Sequence, residues 1–118
     1  MEWKHLAFVA LGGGFGSALR AYLGFLLRGG IPWGTFLVNV VGCFLIGYLM
    51  RALDEDRIGL RFFLLTGFCG GFTTFSAFGS ETLALFRDGQ LGTGLGNVAL
   101  TIVCCLAAVA VGHELARG

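Results

Sequence analysis

The segment Gly67-Phe68-Cys69-Gly70-Gly71-Phe72-Thr73-Thr74-Phe75-Ser76-Ala77-Phe78 sets aromatic and hydroxyl side chains side by side. Phe75, Ser76 and Phe78 are of the types that suit contact with a small ion. Paired glycines and paired threonines precede them, and each of those residues is a poorer helix former than leucine or alanine. The segment otherwise reads as membrane-spanning, so a helix break is expected near the bilayer centre. Irregular backbone at that depth persists only where protein or an aqueous cavity supplies partners for the freed amides and carbonyls. The stretch is therefore a site, or the wall of one.

Other polar groups fall in apolar surroundings. Thr35, Asn39 and Cys43 are spaced i, i+4, i+8 and share one helix face with Gly42. The Asn39 amide, with two donor hydrogens and an acceptor, needs partners in hydrocarbon. It is either glue between helices, worth on the order of 1 kcal/mol, or a donor aimed at a permeating anion. Arg20 follows one turn after Gly16 and either snorkels to the interface or lines an aqueous vestibule that attracts anions. Glu81, one turn past Phe78, is either hydrated at an interface or hydrogen-bonded in the mouth of a pore. Asn97, Thr101 and Cys105 repeat the i, i+4, i+8 spacing on a fourth apolar stretch.

These residues must be positioned by membrane helices. The chain has 118 residues, is 56% hydrophobic and only 13% charged, and has a mean hydropathy of +0.83, which would leave a soluble domain with an apolar exterior. Runs without Asp, Glu, Lys or Arg extend from Gly29 to Met50, Phe62 to Ser80 and Gly89 to Gly112, and another from His5 to Leu19 continues past Arg20 to Leu27. Each approaches the roughly 20 residues that cross about 30 Å of hydrocarbon. An all-α membrane protein with four transmembrane helices is expected, a single domain over residues 1–118. The turn at Arg28, Gly29, Gly30 and Pro32 joins the first two spans, and Trp33 marks the interface.

Such short connections leave no room for a soluble catalytic domain, and one four-helix unit is barely large enough to enclose a polar path, so an oligomer is expected. The first span is read as mature structure rather than a signal peptide, because Glu2 precedes it and no small-residue cleavage site separates it from Arg20. With four spans, Lys4, Arg51, Arg57, Arg61 and Arg117 lie on one side and Arg20, Arg28 and Arg87 on the other. Positive charge orients a chain by its difference between sides. Five cations against three is a small difference, and insertion in both orientations, as an antiparallel pair, follows as a hypothesis.

The remaining motifs have bland explanations. Cys43, Cys69, Cys104 and Cys105 fall inside spans, lack CxxC spacing and imply neither disulfide nor metal. His5 and His113 sit near helix ends as interfacial residues. Gly12 and Gly16, four apart, let another helix approach closely; a dinucleotide-binding reading of that glycine run fails for want of a preceding strand. No nucleophile and base pair points to an enzyme, and no nucleic-acid partner is expected.

The chain resembles the Fluc/CrcB fluoride channel family from end to end. The likeness rests on Gly-Gly-x-x-Gly-x-x-x-Arg from Gly12 to Arg20, Gly-Thr-Phe-x-Val-Asn-x-x-Gly from Gly34 to Gly42, and the segment from Gly67 to Phe78. The resemblance implies an antiparallel, dual-topology homodimer in the inner (plasma) membrane, surrounded by lipid, with two fluoride pores. It also implies a structural sodium ion at the dimer centre, bound by the carbonyls of Gly70 and Thr73. Carbonyls freed at the end of a half-helix carry partial negative charge and suit a hard cation. By the same resemblance Phe75, Phe78 and Asn39 are pore residues and Arg20 belongs to the vestibule; Ser76 and Glu81 join them on the polar chemistry above. An aromatic ring is positive at its edge, so edge-on rings can replace part of the water shell of a small anion. Fixed weak donors along a narrow path can then favour fluoride by size and field.

Two places depart from the family pattern: Ala77 stands where threonine is common, and Thr101 and Cys105 where tyrosine and serine are frequent. A small multidrug transporter has a similar length and glycine content, but needs a membrane-embedded carboxylate in its first span, and none lies between Leu6 and Leu27. A non-transporting assembly subunit would explain the glycine faces but not a break lined by threonine, serine and phenylalanine.

Overall fold

A computed structural model of the chain describes residues 1–27 and 33–117. Among them, four stretches are long and apolar enough to cross a membrane. Helix α1 is Trp3–Leu26 and α2 is Trp33–Ala52. The third span, Ile58–Arg87, is interrupted. Its first half, α3 (58–72), begins with the turn Ile58–Arg61, widens into a π-helix over Phe62–Cys69 and closes with Gly70–Phe72. Its second half, α4, is Phe75–Arg87, and α5 is Leu91–Leu115. The expected turn at Arg28, Gly29, Gly30 and Pro32 lies outside the described residues.

The helices pack in two extensive pairs, α1 along α3 and α2 along α5, with α4 resting on α5. Glycines set how closely the pairs approach. A side chain at Gly12 or Gly16 would run into the carbonyls of Phe63 or Phe68 on α3, as their spacing implied. On the other pair, a side chain at Gly47 would meet the Val109 carbonyl, and one at Gly112 would meet that of Phe44. Packing of small residues supplies the association that water would otherwise drive, since lipid tails are as apolar as the helix surfaces. Buried apolar side chains are few, Val38, Cys69, Phe72, Phe78 and Leu85, whereas the exterior is covered with exposed Leu, Phe, Val and Ile. An apolar exterior of that extent is matched to lipid, and the chain is a multi-pass membrane protein.

Basic side chains close several helix ends. Arg61 Nη1 donates to the carbonyls of Leu53 (2.7 Å) and Met50 (3.3 Å) at the end of α2. Arg51 Nη1 donates to the His113 carbonyl at 3.2 Å near the end of α5. Both place a cation where a helix leaves carbonyls without intrahelical donors. His5 stacks on Phe62 with ring centroids 4.8 Å apart and accepts from the Glu2 amide at 3.1 Å.

Of the paired glycines and paired threonines expected to break the span, the threonines mark the break. Gly70 and Gly71 remain helical, and the chain opens at Thr73 (φ −86°, ψ 156°) and Thr74 (φ −149°, ψ 115°), both extended. Gly71 serves proximity instead: any side chain there would strike the Gly13 carbonyl of α1. Thr73 finishes α3 by donating both its amide and its Oγ1 to the Cys69 carbonyl at 3.0 Å. Thr74 starts α4 as its N-cap, its Oγ1 accepting from the Ala77 amide at 3.2 Å.

Candidate functional site

Two extended residues in mid-span free backbone groups that need partners. Asn39 supplies them from α2. The Thr74 amide donates to Asn39 Oδ1 at 2.7 Å, and Asn39 Nδ2 donates to the Thr74 carbonyl at 3.0 Å. The side-chain amide thus pairs with Thr74 as a neighbouring strand would. Asn39 is 7% exposed, and one Nδ2 hydrogen remains beyond the bond to Thr74. Asn39 therefore joins two elements, and its amide keeps one hydrogen beyond that pairing. Gly42, one turn below, lets the Thr73 methyl lie directly against α2.

Beside this pairing is a cavity of about 320 Å³. Asn39 and Cys43 line it from α2, Thr73 and Thr74 from the break, and Thr101 and Cys105 from α5. Phe75 and Phe78 line it with Ile102 and Leu106, the two ring centroids 5.5 Å apart and their planes inclined by 38°. Phe78 is 8% exposed, whereas Phe75 is 83% exposed. A phenylalanine so open at the centre of a span presents its ring to whatever adjoins the chain there.

The other candidates surround the cavity without entering it. Ser76 is exposed, and its hydroxyl stands 3.2 Å from that of Thr74. Arg20 reaches the break from the α1 side: its Nε donates to the Gly71 carbonyl at 3.0 Å, and Ser17 adds a bond of 3.4 Å to the same oxygen. Through Nε the guanidinium closes the C-terminal end of a half-helix. Glu81 accepts from Thr35 Oγ1 at 2.8 Å, while its second oxygen, Oε2, is buried without a partner among the described residues.

Gly70 and Thr73 bracket the end of α3. In an unbroken helix the Thr74 amide would donate to the Gly70 carbonyl, but it is turned to Asn39 instead. The Gly70 carbonyl is thereby released from its helical donor on an exposed part of the chain, while the neighbouring Gly71 carbonyl is occupied by Arg20. Hard carbonyl oxygens released in this way fit a hard monovalent cation.

Several connections were not legible in the sequence. Asn97 Nδ2 donates to Thr82 Oγ1 (3.0 Å), Thr82 Oγ1 donates to the Phe78 carbonyl (2.7 Å), and Thr101 Oγ1 donates to Asn97 Oδ1 (3.4 Å). This chain of bonds fixes the Phe78 turn of α4 to α5. The Asn97 and Thr101 spacing signalled the α5 half of the chain of bonds; the position of Thr82 four residues after Phe78 was the signal for the other half.

A bundle of four apolar helices whose interrupted third span is paired to an embedded asparagine defines a class of multi-pass membrane proteins with a broken helix. Within it, the chain belongs to the CrcB family: residues 7–113 match the family described as CrcB-like protein, Camphor Resistance (CrcB). Its relatives include proteins named fluoride-specific ion channel FluC. That of Paracoccus denitrificans is 48% identical over 115 residues, covering 93% of this chain and 92% of the relative. That of Methylocella silvestris is 45% identical over 117 residues (92% and 89%), and that of Opitutus terrae 45% over 120 residues (94% and 91%).

Proposed function

We propose that the chain is a fluoride-selective channel, not an enzyme, through which fluoride leaves the cytoplasm passively down its electrochemical gradient. The observation that carries this reading is the wall formed by Asn39, Phe75 and Phe78 beside a backbone break. Its donors are weak, fixed and few: a spare amide hydrogen and the edges of two rings. Such a path replaces hydration without binding an anion so tightly that it cannot leave. The names carried by the relatives identify fluoride as the anion.

The functional unit in this reading is an antiparallel homodimer with two pores in the inner (plasma) membrane, enclosed by lipid. The exposure of Phe75 supports it, since a second copy can enclose that ring. In this reading Arg20, at the C-terminal end of α3, and Glu81, on α4 beyond the break, stand along the path, and Ser76 adds a hydroxyl at the exposed face. Sodium would be held by the carbonyls of Gly70 and Thr73 from both copies, supplying positive charge that joins them.

Bi-ionic currents across planar bilayers test the reading. Current carried by fluoride and lost when chloride replaces it on both sides is the expected result; chloride currents of equal size would overturn it.

A further inference from the structure

Two thiols in the cavity wall have no part in the proposed fluoride path. Cys43 on α2 and Cys105 on α5 come together in the lining of one cavity. Backbone packing accounts for the meeting. The two helices are in close backbone contact where Gly47 faces the Val109 carbonyl. Cys43 precedes Gly47 by four residues and Cys105 precedes Val109 by four, so one helical turn from that contact brings the cysteines opposite each other. Both are half-buried and neither is in a disulfide.

The donor set is soft. Thiolates select soft cations, whereas carboxylates and carbonyls suit hard ones. The cavity wall holds neither carboxylate nor imidazole among the described residues. Two facing sulfurs satisfy a cation that accepts linear two-coordination and fall short of the tetrahedral set zinc requires.

We propose that Cys43 and Cys105 form a two-thiol binding site for a soft metal ion of the class Ag⁺, Cu⁺ or Hg²⁺, set in the wall of the fluoride path. With Hg²⁺, two S–H bonds break, both protons pass to water and two S–Hg bonds form, with mercury remaining divalent. The bis-thiolate mercury is neutral and acts by bulk: it occupies space beside Thr101 and Phe78 in the cavity, so flux stops. Metal binding is independent of the pore reading; the block of flux rests on it.

The test titrates purified protein with mercuric chloride, with excess histidine competing for single-thiol binding, and follows the ultraviolet mercury–thiolate absorption. Liposome fluoride efflux is measured on the same samples. Saturation at one mercury per chain is expected for the unaltered protein and for the Cys69→Ala and Cys104→Ala variants, and its loss in Cys43→Ala and in Cys105→Ala. Efflux of the unaltered protein should fall at least tenfold and return with excess dithiothreitol, and each of the last two variants should give the same efflux with and without mercury. Binding that survives both substitutions, or that vanishes in Cys104→Ala, overturns the assignment of the site. Binding as expected with efflux undiminished overturns its place in the path, and absence of efflux before any mercury is added counts against the channel reading alone.

Discussion

Asn39→Leu removes the group that replaces helical hydrogen bonding at the break. The side chain is 7% exposed and makes two bonds to Thr74, of 2.7 Å and 3.0 Å. Leucine has a similar size but offers no polar atom, so the Thr74 amide and carbonyl lose their partners together. Leaving a buried donor or acceptor unsatisfied costs about 1–3 kcal/mol, so two stranded groups cost about 2–6 kcal/mol. At about 1.4 kcal/mol per tenfold, the ratio of folded to unfolded protein should fall by a factor of roughly 30 to 20,000. Helical closure of the break is opposed by Thr73 and Thr74, which are poor helix formers, and by the Arg20 bond to Gly71. Unfolding in mixed micelles of increasing dodecyl sulfate content reads the stability loss, and fluoride efflux from reconstituted liposomes reads the path. Asn39→Asp keeps the acceptor for the Thr74 amide but turns an anionic oxygen toward the Thr74 carbonyl, so it should also lose efflux. An Asn39→Leu protein with unaltered unfolding and unaltered efflux would refute the role assigned to the pairing.

Further outcomes follow from the same geometry. Phe75→Ile should abolish fluoride efflux while chromatographic size stays that of the assembled protein, because an exposed ring contributes little to the fold of one chain; unchanged efflux would remove the ring-edge mechanism. Arg20→Ala leaves the Gly71 carbonyl with only the longer Ser17 bond, and should lower stability by about 1–3 kcal/mol in the same micelle titration. Gly47→Ala forces α2 away from the Val109 carbonyl, at a cost of about 1–3 kcal/mol, read as an earlier unfolding midpoint. Replacing sodium by N-methylglucamine during purification should lower the thermal midpoint of the assembled protein, and an unchanged midpoint would argue against the proposed ion at Gly70 and Thr73.

Much of the fold is legible because the membrane imposes it. Uncharged runs of the right length mark the spans, and the glycines of α1 identify the face on which α3 lies. The location of the break is less so, since Gly70 and Gly71 have the composition of a breaking point but both remain helical, and Gly71 serves close approach to α1. Asn39 stands out as an amide in hydrocarbon, yet its partner is backbone 35 residues away, and backbone carries no residue type to read. The same limit hid the Arg20 bond to the Gly71 carbonyl and the Thr82 bond to that of Phe78. Cys43 and Cys105 each read as an ordinary small apolar side chain, and only the register set at Gly47 brings them together.

The most direct measurement of the central claim is fluoride release from liposomes containing the purified protein, followed with a fluoride electrode. A potassium ionophore balances charge, and chloride-loaded vesicles serve as the control. Fast fluoride release that requires the ionophore, with chloride retained, is the predicted result. Correctly assembled protein that releases no fluoride, or that releases chloride equally fast, would contradict it.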